Sequence, residues 1–184
     1  YGVKVEVKSA FTDAPGTQVV SEDEILEKEV VSGISYSSDE AKITLRRVKD
    51  QPGVAAGIFG PLADASVNVD MIVQNVSEDG KTTDLTFTVT ARDLNHAEEV
   101  LSKKKTKIGF DDLVSDSNLS KISIVGVGMR SNTGVAKTMF NTLAEKNINI
   151  KVISTSEIKI SVLIDTEYTE LALRALHSAY GLDK

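Results

Sequence analysis

The chain repeats itself, and this constrains its fold more than any other feature. Lys42-Ile43-Thr44-Leu45 returns as Lys121-Ile122-Ser123-Ile124, an offset of 79 residues. At an offset of 81, Gly53-Val54-Ala55 returns as Gly134-Val135-Ala136 and Phe59 as Phe140. Leu62-Ala63 and Asn68-Val69 return at the same spacing as Leu143-Ala144 and Asn149-Ile150. Two copies are too few for a solenoid, whose units bury a continuous core by stacking, so the repeat reads as a duplicated domain.

Within each copy the hydrophobic period changes in a fixed order. A β-rich run (Ile43 to Val48; Ile122 to Val127) leads to a Gly-containing turn and then to a period of 3.6. Val54, Ala55, Ile58, Phe59 and Leu62 share one helical stripe, matched by Val135, Ala136, Met139, Phe140 and Leu143. Pro61 conflicts with a helix, because it removes a hydrogen bond, but the match to the second copy outweighs it. Alternation follows, with Val67, Val69, Met71 and Val73 on one face and Asn68, Asp70 and Gln74 on the other. A turn at Glu78-Asp79-Gly80 joins this run to Leu85, Phe87 and Val89, which predicts a hairpin. Asn95 with Glu98 predicts a capping box for a helix ending at Lys103-Lys104-Lys105. In the second copy Ile160, Val162 and Ile164 form the strand, with Thr166 as N-cap, acidic Glu167 and Glu170 following, and Gly181 as the stop.

The order is β-α-β-β-α, and one more strand would complete a ferredoxin-like βαββαβ unit. The first copy has room for it around Ile108 to Val114, whereas the second ends three residues after Gly181. Its missing strand is expected from Val30 to Tyr36, which nests the first copy inside the second. The predicted fold class is therefore α+β, with two ferredoxin-like units, the first inserted into the second. The expected divisions are 1–27, then 41–115 for the first unit, with 28–40 and 116–184 forming the second.

Composition narrows the chemistry. With 21 Lys+Arg against 27 Asp+Glu in 184 residues, the net charge is −6, which argues against nucleic-acid binding. No apolar run approaches the roughly 18 residues needed to cross a bilayer, so no membrane partner is expected. The chain does not open on Met, and no charged segment followed by an apolar one suggests a signal peptide, so a cytoplasmic location is expected. No Cys and two His exclude thiol catalysis, disulfides and Cys/His zinc sites. The expectation is a chain that senses or assembles, with no catalytic residues, no metal and no cofactor of its own.

Several runs resemble ACT domains, most closely those of the aspartokinase regulatory region. The carriers are Lys49-Asp50-Gln51-Pro52-Gly53-Val54-Ala55, the run from Asn68 through Ser77, Thr82-Thr83-Asp84-Leu85-Thr86-Phe87, and the run from Asn149 through Val162. Ala175-Leu176-His177 also fits, and together these runs span residues 41–181. Val3, Val5 and Val7 alternate as a strand, and Ser9 through Thr17 resembles the end of that family's kinase domain. The resemblance implies feedback inhibition of L-aspartate phosphorylation by lysine, threonine or both, bound where ACT domains pair into a continuous sheet. It also implies a homodimer and a catalytic kinase domain or subunit, which would hold ATP and Mg outside this chain. Such a chain is either a piece of the longer enzyme or a separate regulatory subunit. The competing function is a dimerisation module with no working ligand site.

The residues themselves support an amino-acid site at the first strand–helix corner. Gly53 permits a tight turn, and the amides of Val54, Ala55 and Ala56 at the helix start suit a carboxylate. Asp50 suits an ammonium group. The effector candidates are thus Asp50, Gln51, Pro52, Gly53, Val54 and Ala55, with Asn68, Val69, Asp70, Gln74 and Asn75 from the adjacent strand or a partner chain. The plain alternative is a turn and an exposed strand. In the second copy Met129-Arg130-Ser131-Asn132-Thr133-Gly134 replaces the Asp-x-Pro-Gly turn and loses the ammonium partner. Gly134, Val135, Asn149, Ile150, Ser156 and Glu157 therefore stand as a second site or as interface.

Other signals are weaker. Gly126-Val127-Gly128 fails G-x-G-x-x-G, because the next Gly is Gly134. Asp111, Asp112 and Asp116 lack the spacing of a calcium loop. His96 and His177 have no triad partners at a telling spacing, and the Lys103 to Lys107 cluster is short.

Overall fold

Ala41, Ile43 and Leu45 alternate with Lys42, Thr44 and Arg46, and they lie in one strand that runs through the middle of the molecule, β3 (Gly33–Lys49). The computed structural model describes residues 3, 5–20, 30–77, 80–127 and 132–183. Ahead of β3, β1 (Val5–Val7) and β2 (Thr17–Val19) form a separate antiparallel pair whose residues are all exposed. After it come α1 (Val54–Asp64), β4 (Asp70–Val76), β5 (Thr82–Val89), α2 (Leu94–Lys103) and the short α3 (Lys105–Ile108). A second long strand, β6 (Asp112–Val125), leads to α4 (Val135–Glu145), β7 (Val152–Thr155), β8 (Lys159–Asp165) and α5 (Thr169–Ala179). Six strands make one antiparallel sheet in the order β4-β5-β3-β6-β8-β7.

The register displays the nesting. Residues 42–46 of β3 pair with residues 112–116 of β6, while residues 33–37 pair with residues 121–125. The first unit thus reads β4-β5-β3-β6 across the sheet and the second β3-β6-β8-β7. Each is a ferredoxin-like βαββαβ arrangement, the first inserted into the second. Residues 40–41 and 115–116, where the units were divided from sequence, lie inside β3 and β6, and the sheet runs unbroken through both.

Each unit has its own core. Ile43, Leu45, Leu85 and Phe87 pack under Ile58, Leu62, Ala97 and Leu101, all fully or almost fully buried. Phe59 meets Phe87 edge-on with centroids 5.3 Å apart. In the second unit Ile122, Ile124, Val162 and Ile164 pack under Met139, Leu143, Ala172 and Leu176. Burying one such side chain contributes about 1.5–3 kcal/mol. Cores this small are marginal alone, and two shared strands make each depend on the other. A third cluster, Met71, Leu119 and Leu163 with Val152, lies on the helix-free side of the sheet.

Several local expectations change. Ala55 is exposed rather than part of the buried stripe of α1. Pro61 stays within α1, where the helix has one turn left to run. The alternation of β4 breaks at Met71, whose φ of 46° belongs to a bulge between Asp70 and Val73. The inserted residue flips the parity, so Val67 and Val69 face the helices while Met71 turns to the helix-free side. Asn95 and Glu98 make no capping box: a 3₁₀ turn over Ala91–Asp93 starts the helix at Leu94. Thr166 likewise opens a 3₁₀ turn and not α5 itself, which begins at Thr169. The first unit's last strand starts at Asp112, because α3 runs to Ile108 and Gly109 ends it at φ 78°. Glu78 and Asp79 of the predicted hairpin turn and Met129 to Ser131 lie outside the described residues.

Candidate functional site

Gly53, at φ 91°, is where the chain leaves β3 and enters α1. A residue with a Cβ is strained in that left-handed region, so glycine is the natural choice. The corner is held by the Asp50 amide donating to the Lys81 carbonyl at 2.9 Å and the Val54 amide donating to the Gln51 carbonyl at 3.2 Å. The next amides, of Ala55 and Ala56, belong to the first helical turn, which has no intrahelical acceptors. Asp50, Gln51, Pro52, Gly53, Ala55 and Ala56 are all exposed, and no carboxylate in the first turn of α1 offsets its positive end. A carboxylate would meet free amides here, and the Asp50 side chain, exposed and three residues before Gly53, makes no ion pair among the described residues.

The remaining candidates are distributed along β4. Lys42 stands opposite Thr88 and Lys49 opposite Thr82, while Asp70 also pairs with Thr88. Six residues at about 3.3 Å each put roughly 20 Å between the level of Asp70 and the Asp50 corner. Asn68 and Val69 lie at that same far end. Gln74 and Asn75, opposite Leu85 and Asp84, are the candidates nearer the corner. Within one chain, then, Asp50 and Asp70 do not converge on one ligand.

Asp70 has a partner already. Its Oδ2 accepts from Lys121 Nζ at 2.8 Å, and Lys121 also pairs with Glu40 at 2.7 Å. Glu40 is buried and Lys121 mostly so, whereas the Asp70 side chain is half exposed. The Lys121 ammonium holds the Asp70 carboxyl below the usual carboxylate range against the effect of partial burial. Burial works against the Lys121 charge, but hydrogen bonds to Asp70 and Glu40 outweigh it and raise its pKa. Sequence reading missed Lys121 and Glu40. The available signal was Lys121 as the charged residue on a strand otherwise rich in buried Ile and Ser, aligned by the repeat with Lys42.

In the second unit, Gly134 and Val135 line a cavity of about 360 Å3 with Val30, Val31, Thr138 and Tyr180. Tyr180 donates to the Val135 carbonyl at 2.7 Å, and burial pushes its phenol up to about 12. Gly126 is needed for packing: a Cβ there would meet the Val30 carbonyl at 2.3 Å. Asn149 and Ile150 lead into β7, and Ile150 lines a separate cleft with Asn75. Ser156 and Glu157 are exposed in the β7–β8 turn, where the Ser156 amide donates to the Lys159 carbonyl at 2.7 Å. Asp111 of the acidic run is bound to Arg47 at 2.6 Å, and no three His, Asp or Glu cluster among the described residues. No helix among them is long and apolar enough to cross a membrane.

Comparison with known proteins bears on the geometry directly. Residues 43–105 and 122–180 each match the ACT domain family. An aspartate kinase of Stutzerimonas stutzeri is 52% identical over 184 residues, covering 100% of this chain and 44% of its own length. The chain thus spans less than half of such curated relatives. A solved structure of aspartokinase alpha and beta subunits superposes with a TM-score of 0.76 at 50% identity, covering 82% of this chain and 99% of that one. The ligand-free regulatory subunit of aspartate kinase from Thermus thermophilus has the same TM-score at 39% identity, covering 83% and 99%.

Proposed function

The chain belongs to the aspartokinase regulatory regions built of two ACT domains, and from that premise we propose that it senses an end-product amino acid. The effector, lysine, threonine or both, binds at the Asp50–Ala55 corner where ACT domains of two copies meet. Binding there restrains phosphorylation of L-aspartate by a catalytic part that holds ATP and Mg.

The observation that carries this reading is the pair of sheet edges, β4 and β7, that no strand covers among the described residues. On β4, Ile72 is 53% and Val76 61% exposed, and on β7 Ile153 is 43% exposed. Apolar residues on an open edge favour addition of another strand, and a second copy supplies one. Asn68, too far from the corner of its own chain, would then serve the corner of the partner, while Asp70 stays with Lys121. An effector with differential affinity for the paired state couples the two sites, typically by about 1–3 kcal/mol. The exposed β1–β2 hairpin needs more surface to be stable, which the end of a preceding kinase domain would provide.

Calorimetric titration of a dimeric sample with lysine, threonine and both together tests the proposal. Binding that Asp50→Ala weakens at least tenfold supports it. A dimer that binds neither amino acid leaves a dimerisation module without a ligand site.

A further inference from the structure

The geometry points to a binding site for a small aliphatic carboxylate in the cleft between β4 and β7, held by Lys42 of the first domain and Lys151 of the second. The duplication exposes it. Lys42 and Lys121 occupy equivalent positions in the two copies, and Asp70 and Lys151 do the same. Lys121 crosses the helix-free side to Asp70 at 2.8 Å and to Glu40 at 2.7 Å. The symmetry-related crossing brings Lys42 and Lys151 to one cleft, and the position equivalent to Glu40 is Leu119. One carboxylate has been replaced by a cation and the other by an apolar side chain, so neither partner of the first bridge exists in the second.

What remains is a cationic gap. Lys42 is half-buried and makes no side-chain hydrogen bond or ion pair among the described residues, while Lys151 pairs with Asp165 at 3.2 Å. Between them lies a cavity of about 350 Å3, within the range that holds small ligands. Val73, Val152 and Ile153 supply apolar wall, and the Asn75 amide adds a polar group. Thr86 completes the lining, its hydroxyl sharing a hydrogen bond with that of Thr44 at 2.9 Å. In the equivalent gap a carboxylate meets the lysine. A monocarboxylate fits this one better than phosphate, because a dianion needs more than one uncommitted cation and gains nothing from aliphatic walls. The ligand would touch an edge strand of each domain and hold the two together.

The site is separate from the Asp50 corner, and its test does not depend on effector sensing. The uniformly 15N-labelled full chain is titrated with 3-methylbutanoate, with 3-methylbutan-1-ol and inorganic phosphate as controls, following the amides of Thr86, Val152 and Ile153. Saturable shifts with an apparent Kd of about 1 mM or tighter for the carboxylate alone support the site. Lys42→Met should weaken binding at least tenfold, and Asp50→Ala should leave it unchanged. Lys151→Asp restores the charge pattern of the first bridge, so it should abolish carboxylate binding and raise Tm. Absence of shifts up to about 10 mM, equal shifts with the alcohol or phosphate, or unchanged binding in Lys42→Met overturns the proposal. So does a folded Lys151→Asp chain that binds as before.

Discussion

Lys121 Nζ lies 2.8 Å from Asp70 Oδ2, joining the second domain to the edge strand of the first. The contact links residues 51 apart in the chain and crosses the helix-free side of the sheet. It also occupies a carboxylate that the sequence offers to an effector.

Lys121 should matter more than Asp70. Lys121→Met strands Glu40, whose side chain is only 8% exposed, without its cation. An uncompensated buried charge costs about 3 kcal/mol or more. Asp70→Asn removes a half-exposed partner and should cost no more than about 1 kcal/mol. Urea denaturation at pH 7 separates the two, and equal losses would mean that Glu40 finds another cation.

The bridge sets a pH dependence at both ends. Asp70 is held below its ordinary 3.8, so its stabilisation is complete above that value and is lost as pH falls through the lower folded pKa. Lys121 is raised above its ordinary 10.5, so its contribution is complete below that pH and fades as pH rises through the folded value. Stability from this contact is therefore flat in between. The difference in unfolding free energy between the parent chain and Asp70→Asn should shrink below about pH 4. A difference that grows with acid would contradict the assignment.

Gly53→Ala isolates backbone geometry from sterics. The added Cβ would meet nothing within 4 Å, but φ is 91°. The expected cost is about 1–2 kcal/mol from the left-handed conformation alone. Effector affinity should fall too, since the turn presents the Ala55 and Ala56 amides. Thermal unfolding and calorimetry check the two effects separately.

Gly126→Ala attacks the nesting itself. Its Cβ would fall 2.3 Å from the Val30 carbonyl and 2.8 Å from Val31 Cα, both of them backbone. The segment entering β3 must then shift, loosening the strand that the second domain borrows. Amide exchange should accelerate in residues 33–37 and 121–125 well before residues 42–46 respond. Uniform acceleration would show that the two domains unfold as one unit.

Phe87→Ala reports on the first core. Phe87 is fully buried and meets Phe59 at an interplanar angle of 77°. Loss of about 3–5 kcal/mol is expected by denaturant titration, with the second core destabilised through the shared strands.

Element types and nesting were legible because they rest on period and count. Ile43, Leu45, Leu85 and Phe87 announce a half-buried sheet, and the matched residues of the two copies announce two units of the same element order. Helix starts were not legible at Asn95 and Thr166, where a 3₁₀ turn takes the place of a side-chain cap. The bulge at Met71 was hidden as well, since nothing in Asp70-Met71-Ile72 marks a left-handed residue.

The candidate site divides along the same line. Asp50 to Ala55 form one corner because they are contiguous, and local turn chemistry with a helix start suffices to present them. Asp70 and Lys121 were beyond sequence reasoning, because which charge meets which depends on how the one long sheet brings β4 and β6 together across its helix-free side. Sequence by itself determined the duplication, the βαββαβ order, the family and the glycine corner, all set by local period, turn chemistry and matched residues. Only the tertiary structure decided that Asp70 is committed to Lys121 while Lys42 is left unpaired among the described residues. Long-range packing brings one lysine to a carboxylate and its repeat-mate to another lysine, and no local pattern carries that information.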